Sequence, residues 1–411
     1  MSRPRLHIIG GGIAGLACAV AARQLGAEVT LYEASPQFGG RCRSFHDPLL
    51  DRVIDGGSHL MLTANHALLS YARTIGGAAA LQIGEARFPF YDLDRQRHWA
   101  LHPNRGIIPW WLFSAARRCP DGGLRDHLAL LRACWPGQTQ TVAQQTAGSP
   151  LYQRLLVPLT EAILNTKAEQ ASAALLASVL RQTLLRGSAA CRPIFAPRGL
   201  SAALIDPAVA WLRQQGCRLH TSQPIRRIEW TADGDVATFD CPAGPVALGA
   251  GERCVLAVPP AAVTRLLRAD MPVRPTQRIV SAHFRLPPGP YPPLLGLTGG
   301  LGQWIFCRQD VASVTISAAE RLDETALPIL WAEVRAALGL GGPYERLPAA
   351  RLFNHHQATL LQDPACAQMK KALAQYPIIL AGDSWHPTLP CTLEAAVLSG
   401  QDAARRALFD R

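Results

Sequence analysis

The apolar positions of this chain fall into two kinds of run. Leu6 to Ile9 is short, unbroken and of buried-strand length; Ile13 to Leu25 follows as a small-residue helix that stops at Gly26, and "EVTLYE" then reads as a second strand. From about Phe88 to Arg192 the pattern turns helical and rich in leucine and alanine, as in "LYQRLLVPLTEAILN" and "ASAALLASVLRQTLLRG". Later, "RIVSAHFRL", "QWIFCR" and "SVTISAA" alternate as strands do, which predicts a mixed sheet covered by helices. No apolar run reaches spanning length, so any membrane contact is expected to be peripheral.

The first strand, loop, helix and second strand carry the most specific chemistry. Gly10, Gly12 and Gly15 form G-x-G-x-x-G between strand and helix, and Glu33 closes the second strand. Such glycines serve a tight turn, the close approach of a pyrophosphate to backbone, and helix-to-strand packing, while the helix N-terminus offers partial positive charge. Glu33 is placed to accept hydrogen bonds from a ribose. The pattern predicts dinucleotide binding through Gly10, Gly12, Ile13, Ala14, Gly15 and Glu33, and leaves a nicotinamide and a flavin dinucleotide both open.

Glycine and arginine after that acid narrow the choice. "EASPQFGGRCRSF" resembles the second glycine motif of the flavin amine oxidase and phytoene desaturase superfamily. The resemblance implies FAD: Gly39, Gly40 and Arg41 would lie along the pyrophosphate, with Ala34 beside Glu33. It implies that "PIILAG" (377–382) returns as a strand to the same domain, that Gly382 and Asp383 approach the pyrophosphate and ribityl chain, and that a helix opening at Thr392 and Leu393 faces the flavin pyrimidine. Ile225 would meet adenine, and Gly57, Ser58 and His59 would face the flavin. The implied fold is α/β, a Rossmann-type FAD-binding domain (1–85, 196–270 and 370–411) interleaved with a mixed α+β substrate domain (86–195 and 271–369).

Composition adds two things. The 411 residues are 48% hydrophobic and 17% charged, as in a globular protein large enough for two domains. A net charge of +11 favours an anionic partner; without an accompanying nucleic-acid module, an acidic ligand or lipid surface is the better expectation. In "GIIPWWLFSAARR", the run Ile107 to Phe113 has the make-up of an interfacial membrane segment, and packing against the core accounts for it as well. Eleven scattered cysteines without a Cys-x-x-Cys pair suit reduced thiols, and the glycine cluster breaks what would otherwise pass for an export signal. The expected location is the cytoplasm, at the inner face of the cytoplasmic membrane.

Longer phrases, among them "FPFYDL", "SPLYQRLLVPLTEAILNT", "LLRGSAACRPIFAPRGLSAALIDPAVAWL" and "AGDSWHPTLPCTLEAAVLSG", resemble bacterial squalene-associated FAD-dependent desaturases, the hydroxysqualene dehydroxylases of hopanoid biosynthesis. One departure is "DGGSH", where Gly56 and Ser58 replace two amides expected of the family. The resemblance implies reductive loss of an allylic hydroxyl from a long isoprenoid, with NADPH or a reductase as external electron donor. Hydroxide leaves poorly, so an acid must meet it. His59 with Asp55 is the first candidate, followed by Glu161 and His386. A carotenoid-type or dehydrosqualene-type desaturase is the nearest rival. Thr392, standing where amine oxidases place an aromatic cage wall, argues against an amine substrate. Prenyl-binding escort proteins of related fold lack the cofactor residues kept here, and no metal is implied.

Overall fold

The computed structural model describes residues 3–231, 236–267, 274–366, 369 and 379–410. A four-stranded parallel sheet runs in the order Arg218–His220, Glu28–Tyr32, Arg5–Ile9, Arg253–Leu256. Leu380 adds a parallel bridge beside Leu256, so the end of the chain does return to this sheet; Pro377 and Ile378 of the expected strand, and the expected domain limits at 270/271 and 370, lie outside the described residues. The helix Ile13–Gln24 buries nine of its residues because it is covered on both sides, by the sheet and by the C-terminal helix Leu393–Phe409. Only small side chains allow two helices to approach so closely, which explains the alanine, glycine and cysteine of the first helix and the alanine, serine and glycine of the second.

The second sheet has seven strands, in the order Ala350–Leu360, Thr276–Arg285, Val311–Ser317, Trp304–Arg308, Leu294–Thr298, Phe88–Asp92, Arg97–Leu101. It is mixed, as expected: Leu294–Thr298 runs parallel to Phe88–Asp92, while the other pairings are antiparallel. Val280, Ala282, Phe284 and Val314 on one face pack against the helix Ala326–Leu338 through Leu330, Trp331 and Val334. The opposite face carries Ser281, His283, Thr315 and Trp304 toward the rest of the molecule, by the two-residue alternation of a pleated strand.

Ion pairs join the sheets, Arg52–Asp310 at 2.8 Å among them. The hairpin Ser44–Asp47/Arg52–Asp55 comes from the cofactor half, and its Asp47 and Asp55 reach Arg351 (2.8 Å) and Arg308 (2.5 Å) on the seven-stranded sheet. Tyr152–Leu156 is a π-helical turn that runs into the helix Val157–Leu164. Arg154 in that turn binds Asp121 at 2.8 Å and also pairs with the fully buried Asp92, which fixes the helix against the edge of the sheet. All eleven cysteines are free thiols.

Candidate functional site

The two glycine motifs face one another. Gly39 N donates to Gly11 O at 2.8 Å, Gly12 and Gly39 form a parallel bridge, and a Cβ on Gly40 would stand 3.3 Å from the Gly12 Cα. A side chain on Gly12 itself would meet nothing within 4 Å, whereas one on Gly15 would collide with the Gly10 carbonyl oxygen. Gly15 is therefore needed for packing inside the protein, and Gly12 keeps open a strip floored by backbone alone. The helix that starts there has no side-chain cap and no acid in its first turn, so its leading amides are left for an anion. That open, amide-lined strip fits a dinucleotide pyrophosphate.

Glu33 sits where the second strand ends. Its carboxylate accepts from Gly11 N at 2.7 Å and Ser35 N at 2.8 Å, which fixes it at the mouth of the glycine loop with lone pairs remaining for a ribose. Gln223 N donates to the Glu33 carbonyl at 2.8 Å and brings the buried Ile225 alongside, where adenine contact was expected. Arg41 and Asp383, 342 residues apart in sequence, form an ion pair at 2.6 Å, and the same guanidinium donates to the Ala358 carbonyl. The carboxylate beside it drives the Arg41 pKa further up. Gly382, at φ +152°, makes the turn into Asp383.

At the last helix, Thr392 is the N-cap and its hydroxyl accepts from Ala395 N at 3.2 Å; the amides of Leu393 and Glu394 precede the intrahelical ladder and point out of the helix end. Glu394 turns the other way. Its buried carboxylate accepts from Ala67 N and Leu68 N, both at 2.9 Å, and so caps the helix His66–Thr74. Burial raises its pKa and the two amide bonds oppose that rise. This capping role links residues 327 positions apart and has no signature in the sequence.

The four candidate acids separate clearly. His59 lies beside Gly57, and its ring hydrogen-bonds to the Arg41 backbone; burial first, then the Arg41 charge, push its pKa down, so it is neutral near pH 7. The nearby Asp55 charge opposes that fall but does not bond the ring. Among the described residues the Asp55 carboxylate is held by Ser44 Oγ (2.5 Å), Leu200 N (3.0 Å) and Arg308, and no hydrogen bond joins it to His59. The four-residue spacing misled because the hairpin strand directs Asp55 toward Ser44, its own pairing partner. His386 Nδ1 accepts from Leu389 N at 3.1 Å, closing a turn ahead of Thr392. Ser58 adjoins His59 just after a bend at Gly56 and Gly57 and is half-buried.

Glu161 is different. It lies on the helix Val157–Leu164, half-buried, and its pKa is pushed up to about 7, by burial first and then by Glu169, with Lys167 opposing. Gln303 Nε2 donates to Glu161 Oε2 at 2.6 Å. The amide cannot flip without loss, because Gln303 Oε1 accepts from Ser317 N at 2.7 Å and Nε2 also reaches Ser317 O at 3.2 Å. One Glu161 oxygen is thus fixed as an acceptor, and the acid proton belongs on the other, Oε1. Asn165, one turn on, ends this helix and binds Thr359 at 2.9 Å and Ala318 N at 2.6 Å. Thr359 follows Ala358, the carbonyl partner of Arg41, so the helix of Glu161 is tied to the strand that holds the Arg41 guanidinium. Gln303 was not foreseen from the sequence, since a glutamine before a strand carries no signature of its own.

The chain is similar to known proteins along its whole length. Residues 13–287 match the family model described as flavin containing amine oxidoreductase. The chain is 38% identical to a hydroxysqualene dehydroxylase of Sinorhizobium fredii, over 98% of both chains, and 33% identical to one of Zymomonas mobilis, again over 98% of both. In three dimensions it resembles cyclohexylamine oxidase from Brevibacterium oxydans (TM-score 0.67, 17% identity, 99% of both chains) and a putrescine oxidase (TM-score 0.70, 15% identity, 98% of both), which shows the shared fold. The cofactor is FAD and the protein is an oxidoreductase. On the full-length match, this chain belongs to the flavin containing amine oxidoreductases and, within them, to the hydroxysqualene dehydroxylase family.

Proposed function

We propose that this protein removes the allylic hydroxyl of hydroxysqualene reductively, giving squalene and water on the route to hopanoids. The observation that carries the reading is the 38% identity to a hydroxysqualene dehydroxylase across 98% of both chains. When bound and reduced, FAD supplies the hydride that replaces the hydroxyl. The protein's part is to hold and to protonate. The backbone floor at Gly12 and Gly40, the ribose acceptor Glu33, the Arg41–Asp383 pair and the open amides at Leu393 and Glu394 hold the cofactor.

Glu161 supplies the proton. As the C–O bond breaks, its Oε1 proton passes to the departing oxygen, which leaves as water, and the carboxylate that remains keeps the Gln303 donor and the nearby Lys167 charge. His59, neutral and bonded to backbone, is assigned to positioning the cofactor frame beside Arg41. His59→Ala is accordingly expected to keep single-turnover chemistry within about tenfold of wild type, in rapid-mixing experiments at saturating FAD. A loss comparable to that of a Glu161 variant would return the acid role to His59.

The function itself is tested anaerobically. Reduced holoprotein mixed with hydroxysqualene is expected to reoxidise its flavin and form squalene one for one. Inert reduced flavin, with bleaching of the oxidised form by a polyene instead, would establish a desaturase. An external donor, NADPH or a reductase, restores the reduced state between turnovers. A long isoprenoid dissolves in bilayers rather than in water, so the reading carries with it contact with the inner face of the cytoplasmic membrane through Ile107 to Phe113. Among the described residues, no helix is long and apolar enough to cross a membrane.

A further inference from the structure

The segment Ile107–Phe113 folds as a braced wedge with two opposite faces. Outward stand Ile107 (75% exposed), Ile108 (53%), Trp110 (60%) and Phe113 (59%). Inward, Trp111 and Leu112 are buried among Leu101, Leu151, Leu155 and Trp304. So large an apolar tip is unusual on a surface and marks a contact. It is also rigid. Asn104 accepts from Trp111 N at 2.9 Å and donates to Ile108 O at 3.0 Å, and Ser188 N donates to Asn104 O at 2.8 Å. A side chain on Gly187 would strike the Gly106 carbonyl, so the loop behind packs hard against the wedge. The neighbouring helix Leu124–Ala129 touches the same turn and adds the exposed Leu128.

The charge around the tip has one sign. From residue 95 to residue 120 the chain holds five arginines and no acid. Arg105 at the wedge, Arg125 on the adjoining helix and Arg186 on the bracing loop are exposed, and Arg118 Nη1 reaches the Leu112 carbonyl at 2.7 Å from beneath. The nearest acids are engaged elsewhere: Asp121 with Arg95 and Arg154, Asp126 with Gly123 N. Two exposed aromatics and two isoleucines ringed by arginine match the headgroup zone of an anionic bilayer, where indole and phenyl rings settle and cations meet lipid phosphate.

We propose that this wedge docks the protein on an anionic membrane and that the substrate loads through it. The apolar cluster under the wedge continues through Leu159, which lies on the acid helix two residues before Glu161. The wedge and the helix of Glu161 thus share one apolar cluster, and a long isoprenoid drawn from the bilayer beside Trp110 is taken up on this side of the molecule. This rests on the dehydroxylase reading for the identity of the cargo, but docking itself does not depend on catalysis.

The test uses FAD-loaded protein and two assays. In flotation, wild type is expected to rise with vesicles of phosphatidylglycerol and phosphatidylcholine, less with pure phosphatidylcholine, and less at high salt. Trp110→Ala/Phe113→Ala should lower the bound fraction at least about tenfold, and Arg105→Gln should weaken binding to the anionic vesicles alone. With hydroxysqualene embedded in vesicles, the double variant should lose turnover about tenfold, yet match wild type in detergent micelles. Equal flotation of wild type and double variant would overturn the proposal. So would a wild type that ignores every vesicle but self-associates through this face, which would make a second copy the occupant. Flotation without turnover of hydroxysqualene in either medium would instead sink the dehydroxylase reading and leave docking standing.

Discussion

Glu161→Gln is expected to lower the single-turnover rate of squalene formation by about 100- to 10,000-fold, the range lost with a positioned general acid, while FAD stays bound. Glutamine keeps the shape and can still meet Gln303, but it has no proton to give. The pH dependence provides the sharper check. The Glu161 pKa is raised to about 7 by burial and by Glu169, so the folded protein holds the acid form well above the range of a free carboxyl. Rate should be level below about pH 7 and fall about tenfold per unit above it, as the acid ionises. Glu169→Gln removes the like charge, lowers the Glu161 pKa, and should move that fall toward lower pH without removing it. In Glu161→Gln the limb should vanish. A Glu161→Gln protein with wild-type rate and an unchanged pH limb would take the proton donor away from this helix.

Gln303→Leu examines the same arrangement from the other side. Without the amide, Glu161 Oε2 loses its 2.6 Å donor, and nothing then decides which oxygen carries the proton. Removing a donor to the charged form raises the carboxyl pKa further, so the limb should shift to higher pH even as the rate falls. A purely structural role would lower the rate and leave the limb in place. Stopped-flow reoxidation across pH separates the two.

What was legible in the sequence follows from the range of each interaction. The glycine loop was readable because its demands are local: Gly10, Gly12, Gly15 and Glu33 lie within one strand, one loop and one helix, and each glycine answers a backbone requirement. Asp383 was brought toward Arg41 only through family resemblance, since the two lie 342 residues apart. Gln303 and Glu161 are 142 residues apart, and only Glu161 lies in a stretch that carries the family resemblance, so no spacing rule joins them. Asp55 shows the reverse error. Nearness in sequence suggested a pair with His59, while strand pairing placed its carboxylate between Ser44 and Arg308. The helix Ala326–Leu338, which covers one face of the seven-stranded sheet, carries no chemistry and was not singled out beforehand.

Gly400→Ala is expected to destabilise the protein and release FAD, although intrinsic helix preference argues the opposite. Gly400 lies inside the helix Leu393–Phe409, where alanine is favoured over glycine by about 1 kcal/mol. Packing works against it. A Cβ there would stand 3.0 Å from Cys18 N and closer still to the Ala14 carbonyl oxygen, both backbone atoms of the helix Ile13–Gln24 that cannot swing aside. Forcing a methyl into such a contact costs about 1–3 kcal/mol and occasionally more, so strain should exceed the propensity gain. The two helices must then separate, and they carry the two amide-lined ends of the cofactor site, Gly12 at one and Thr392 at the other. Holoprotein should melt lower, by about 2–4 °C for each kcal/mol lost, and bind FAD at least about tenfold more weakly. Asp402→Ala, on the exposed side of the same helix, keeps the propensity term without the clash and should change neither quantity appreciably. If Gly400→Ala melts at or above wild type with its flavin retained, the helices have room for the methyl, and close approach is not what keeps the two ends of the chain in register around FAD.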